Sequence, residues 1–169
     1  MTNDKMADLR ILGSLREENG RGTIHVEDVY PTDIDDMWSA ISQPERLKRW
    51  LVDVEGDTAI DGSFTARFTS GWEGNGRVDV CEAPHRLVVT MSDGGDDETV
   101  TEATLTTEGS GTRLVIEERG LPLGEYAGHG SGWQAHIEDL ALYLAGKDTT
   151  NWIDRVRELS PTYRQMARE

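Results

Sequence analysis

The residues best suited to chemistry cluster late in the sequence. His136 lies three residues after Trp133 and seven before Tyr143, so on a helix the three share nearly one face. Imidazole exchanges protons near neutral pH, and a neighbouring phenol can orient a ligand, which makes His136 and Tyr143 candidate acid–base groups. The plainer alternative is a histidine at the edge of a packed stripe, because no complete catalytic set accompanies it. Glu118 is a third candidate. If Leu114 and Ile116 face inward on a strand, Glu118 does too, and an inward carboxylate beside a cavity would have a raised pKa and could act as an acid. A wet strand end is its alternative position.

Other constellations fall short. His129 and His136 are seven apart with Glu138 and Asp139 nearby, but a metal needs three or four ligands in fixed geometry, and the spacing is not His-Glu-x-x-His. No metal and no cofactor are expected. The glycines from Gly124 to Gly132 form neither a Walker loop nor a dinucleotide fingerprint, and they read as a flexible lid over a pocket. The only cysteine, Cys81, faces outward if Val78 and Val80 face inward, and no activated nucleophile is visible.

Aromatic area is concentrated in Trp38, Trp50, Phe64, Phe68, Trp72 and Trp133. Phe64, Ala66 and Phe68 alternate along one strand face. Core packing and a cavity lining are compatible uses of such residues. Trp72, among glycines, suits a pocket mouth. The expected cavity residues are Trp38, Phe64, Phe68, Trp72, Met91, Trp133, His136 and Tyr143.

The elements that must position these groups are legible from periodicity. A strand over residues 11–16 leads to Asn19-Gly20, a hairpin signal, and a second strand over 22–30. Ile34, Met37, Trp38 and Ile41 then fall at i, i+3, i+4, i+7, a helical stripe capped by Thr32 or Asp33. Pro44 opens a second short helix carrying Leu47, Trp50 and Leu51. From Val52 the period becomes two, predicting strands over 52–60, 63–69, 74–82, 86–92, 98–107 and 112–119, joined by short Gly, Pro or Asp turns. A helix over 131–145 follows, with Trp133, Ile137, Leu140, Ala141 and Leu144 as its stripe. Residues 147–169 form a polar tail with helical potential, broken at Ser160-Pro161. Strands segregated from helices predict an α+β fold, with a curled antiparallel sheet covered by the long helix. Where the two surfaces diverge, a small-molecule site is expected.

Composition bounds the partners. In 169 residues there are 17 basic and 32 acidic side chains, a formal charge of −15, which disfavours a nucleic-acid backbone or an anionic bilayer. No run approaches a membrane span, residues 1–10 lack the apolar stretch of a secretory signal, and a lone cysteine forms no internal disulfide. An acidic cytoplasmic protein is expected.

Four segments carry a family resemblance. Asp33 to Trp50 resembles a helix, a Pro-Glu break and an Arg-Trp ending; Gly76 to Val88 is similar to a "G-x-V-x-x-x-x-P-x-x-x-L" hairpin; Gly111-Thr112-Arg113-Leu114 resembles a "GTRL" strand start; and Gly132-Trp133 resembles the opening of a last helix. Together they resemble the helix-grip superfamily of START domains and birch-pollen allergen (SRPBCC), in the branch of homologues of the activator of Hsp90 ATPase C-terminal domain. The resemblance covers residues 22–145. It implies six to seven strands wrapped around a long C-terminal helix, with two short helices after the first strand. Residues 1–21 would be an N-terminal extension with a possible extra strand, 22–146 the domain and 147–169 the tail. Members of the superfamily bind apolar or amphipathic small molecules, and some, such as polyketide aromatases and cyclases, are enzymes. The leading expectation is therefore a binder of a lipid-like or polyketide-like molecule. The rivals are a cyclase-like or hydrolytic enzyme using His136, Tyr143 or Glu118, and a co-chaperone-like module using the outer sheet face or the tail.

Overall fold

A computed structural model describes residues 10–95 and 97–168. Residues 1–9, Asp96 and Glu169 lie outside them.

One antiparallel sheet of eight strands runs in the order β1-β2-β8-β7-β6-β5-β4-β3. The strands are β1 (Gly13–Glu18), β2 (Arg21–Tyr30), β3 (Val52–Gly56), β4 (Ser63–Phe68), β5 (Glu73–Glu82), β6 (Arg86–Ser92), β7 (Glu98–Glu108) and β8 (Gly111–Leu121). The resemblance implied six or seven. The difference lies at the β1 edge, where Asn19 (φ 53°) and Gly20 (φ 78°) both take positive φ. That conformation matches the strand twist and folds β1 onto β2 in full register. Strand β3 is shorter than expected, because the chain turns at Gly56 (φ 124°), where a Cβ would stand 2.8 Å from the Ser63 carbonyl oxygen.

Two short helices, α1 (Ile34–Ser42) and α2 (Pro44–Trp50), link β2 to β3. Asp33 caps α1 by accepting the Asp36 N–H at 2.8 Å, and Pro44 occupies the first turn of α2. Trp50, buried, donates its indole N–H to the Ala40 carbonyl at 3.1 Å, locking the helices together.

The long helix α3 (Tyr126–Leu144) lies against the sheet. Ile24, Val26, Leu105, Leu114 and Ile116 of the sheet meet Ile137 and Leu140 of the helix in one core. Tyr30 donates its hydroxyl to the Ile137 carbonyl at 2.9 Å, so even the core's polar tip is satisfied. The helix corrects one expectation: residues 126–132 are not a glycine lid but its first turns. Glycine costs helix stability, yet here it permits close approach. A Cβ on Gly130 would stand 2.7 Å from Tyr163 Cδ1 and 2.9 Å from Leu15 Cδ2.

The final helix α4 (Trp152–Arg168) runs through Pro161 instead of breaking there. Leu159 and Tyr163, four residues apart and fully buried, pin the helix on both sides of the proline against Ala135 of α3. Tyr163 donates to Gln134 Oε1 at 2.6 Å, and Arg155 grips Glu138 at 2.6 Å. The tail is thus a packed layer behind α3.

The outer sheet face is a lattice of ion pairs. Arg16, Glu117, His25, Glu27 and Arg113 link in series across β1, β2 and β8, and Glu102 bridges Arg86 and Arg119. No described helix is long and apolar enough to cross a membrane.

Candidate functional site

Alternation along β8 turns Leu114, Ile116 and Glu118 toward α3, with all three buried. Beside Glu118 a cavity of about 350 Å³ opens between the sheet and the first half of α3. Its walls come from the β4–β5 turn, the β6–β7 connection, the end of β8, the first half of α3 and Trp152 of α4.

The apolar lining is aromatic. Phe68 and Trp72 meet edge to face at 5.5 Å across their turn. The Trp72 ring lies over Gly74, where a Cβ would stand 2.4 Å from it. His136 stacks on Trp152 at 5.2 Å and meets Trp133 edge-on at 5.7 Å. Burial in this box pushes the His136 imidazole down to about 3, so it stays neutral near neutral pH. Its buried Nδ1 meets no hydrogen-bond partner among the described residues.

The polar wall is a network centred on Glu118. Its Oε1 lies 3.0 Å from both Trp133 Nε1 and His129 Nδ1, and its Oε2 accepts from Thr99 Oγ1 at 3.0 Å. Burial works against the charged form of His129, but the Glu118 hydrogen bond, the Glu118 charge and the Glu125 charge outweigh it and hold the imidazole above its ordinary value. With Nδ1 directed at the carboxylate, Nε2 is left for an occupant, an arrangement able to move a proton. From the sequence, His129 is weighed only as a metal ligand, because the glycines around it read as a loop. The signal was present: once the helix begins at Tyr126, His129, Trp133 and His136 fall at i, i+4 and i+7.

Of the residues expected in the cavity, Phe68, Trp72, Met91, Trp133 and His136 line it, with Glu118. Phe64 lies beyond Met91 and lines a shallower depression over Gly76. Trp38 is half-buried on α1 against the core. Tyr143 sits near the far end of α3, where its oxygen accepts from Arg46 Nε at 2.9 Å. His136 and Tyr143 therefore share a helix face but not a site. Cys81 is exposed, and no group of three or more His, Cys, Asp or Glu among the described residues is placed to hold a metal ion.

A family profile described as activator of Hsp90 ATPase homolog 1-like protein matches residues 31–145. The chain belongs to this family. The matched span runs from the start of the short helices to the end of α3, so β1, β2 and α4 lie outside it. CalU16 from Micromonospora echinospora superposes with a TM-score of 0.76 at 22% identity, over 93% of this chain and 96% of that one. DynU16, from the dynemicin biosynthetic locus, gives 0.69 at 27% identity over 75% of this chain and 49% of its own. An Hsp90 activator from Plasmodium falciparum gives 0.63 at 17% identity over 73% and 96%. These likenesses establish the helix-grip fold. No curated protein matches the sequence.

Proposed function

We propose that this family member binds an apolar or aromatic small molecule in the cavity between β8 and α3. The observation that carries the reading is the neutral, unpartnered His136 inside an aromatic box that borders open space. Aromatic faces and a neutral imidazole around an open space suit an apolar or aromatic occupant. The volume lies at the small end of ligand pockets, and burial of apolar area supplies affinity at about 25 cal/mol per Å². A cytoplasmic setting agrees with the acidic composition and the single, exposed cysteine.

The Glu118–His129 pair favours a second reading, an enzyme in which His129 moves a proton on the bound molecule. The co-chaperone-like reading draws less support, since α4 turns Leu159 and Tyr163 inward and the outer sheet face carries self-satisfied ion pairs.

Trp72, Trp133 and Trp152 all line the cavity, so indole fluorescence reports occupancy directly. Titration with a panel of aromatic and lipid-like molecules is expected to quench emission and raise Tm. A panel that does neither overturns the binding reading. Among molecules that bind, a product released by the wild type and lost in His129→Gln would favour the enzyme.

A further inference from the structure

Carboxylates outnumber basic groups around the cavity. Asp93, Asp97, Glu118 and Glu125 line it, and no lysine or arginine does so among the described residues. Two of these carboxylates are already matched: Glu118 by His129 at 3.0 Å, and Asp97 by Arg21 at 3.0 Å. Asp93 and Glu125 have no cationic partner of that kind among the described residues. Asp93 Oδ1 accepts only the Gly95 N–H, at 2.9 Å, and the field of Glu125 already reaches His129. An anion entering this space would meet two unmatched carboxylates, while His129, the basic group in the lining, is already engaged by Glu118.

The interior makes the same demand. Three tryptophans and Phe68 present ring faces and edges around the space, and indole is the ring that attracts cations most strongly. His136 stays neutral there and adds no positive charge. The indole rings and the unmatched carboxylates independently favour positive charge, and the neutral imidazole in the lining does not oppose it.

We propose that the cavity selects an amphipathic cation: an apolar or aromatic body carrying a protonated amine, with the body against Trp72, Trp133 and Trp152 and the ammonium toward the mouth formed by Asp93 and Glu125. This rests on the binding reading above and names the chemical class of its ligand. Free fatty acids, the obvious guess for an apolar chamber, are disfavoured by the same charges.

Three probes with one aromatic body separate the contributions: 1-naphthylmethylamine, 1-naphthalenemethanol and 1-naphthoate, titrated by calorimetry into the full chain. The amine is expected to bind about tenfold more tightly than the alcohol, and the acid more weakly than either. In Asp93→Asn/Glu125→Gln the amine-to-alcohol ratio is expected to fall toward one. Both side chains are exposed, so the fold survives the change. Equal affinities for amine and alcohol in the wild type overturn the cation inference and leave the cavity reading standing. An amine preference that the double variant retains overturns the placement of the ammonium. Binding of none of the three overturns the inference together with the reading beneath it.

Discussion

Glu118 on the sheet and Trp133 on α3 face each other with both side chains buried, and the indole N–H meets the carboxylate at 3.0 Å. A buried carboxylate is tolerable only when its lone pairs are filled, and His129 and Thr99 supply the remaining donors. The network therefore sets the spacing between β8 and α3 at the point where the cavity opens.

Removing its hub has a defined cost. Glu118→Ala leaves the Trp133 N–H without an acceptor and opens a void, for an expected loss of about 2–4 kcal/mol. Glu118→Gln keeps one acceptor oxygen and is expected to cost about half as much. Urea unfolding of the two variants checks the order; an unchanged midpoint in Glu118→Ala would contradict the network's structural role.

The two cavity histidines pull stability in opposite directions with pH. His136 is depressed to about 3 in the folded state, while the unfolded chain titrates near the ordinary imidazole value of 6.5. Between these values the unfolded state binds more protons, so stability falls as pH drops through that window, on the order of 3 kcal/mol by pH 4 from this group. His129, with His25, is raised in the folded state. Their contribution is present below the unfolded value and disappears as pH rises through the folded one. NMR titration of the imidazole carbons is expected to show His129 titrating above its ordinary range and His136 silent down to about pH 4. His136→Phe should flatten the acid limb, and His129→Gln should flatten the limb above neutrality.

Much of this architecture was readable from residue order, and the failures share a cause. The alternation of Leu114, Ile116 and Glu118 puts the three on one face, because a strand's period of two leaves no choice, but alternation alone does not separate a buried carboxylate from one at a wet strand end. The Asn19-Gly20 hairpin and the Asp33 cap were equally local. Residues 126–132 and Pro161 were misread because local propensity was overridden by packing that no local pattern encodes: Gly130 against Tyr163, and Leu159 with Tyr163 around the proline. The cavity followed the same rule. Trp152 was assigned to a tail, and its place over His136 depends on how α4 returns across α3.

Two glycines of α3 test that account. Gly128 has nothing within 4 Å of an added Cβ, so Gly128→Ala is expected to stabilise by about 0.5–1 kcal/mol through helix propensity alone. Gly130→Ala gains the same propensity but drives its methyl into Tyr163 and Leu15, for a net loss of about 1–2 kcal/mol. Thermal unfolding of the pair should show Tm moving in opposite directions. A rise in both would mean that α4 and β1 yield easily and that the glycine serves no packing purpose.

Trp152 joins the last helix to the cavity. Its ring stacks on His136 at 5.2 Å, and its Nε1 donates to the Gly132 carbonyl at 3.3 Å. Trp152→Ala removes one wall, admits water to the imidazole and loses buried aromatic area, with an expected cost of about 2–3 kcal/mol. Because desolvation alone depresses His136, its pKa should climb from about 3 toward the ordinary range in this variant. The same NMR titration reads that shift while urea unfolding reads the stability. A destabilised variant with His136 still silent would show that Trp133 and Phe68 suffice to keep the imidazole dry, and that α4 supports the cavity mechanically without sealing it.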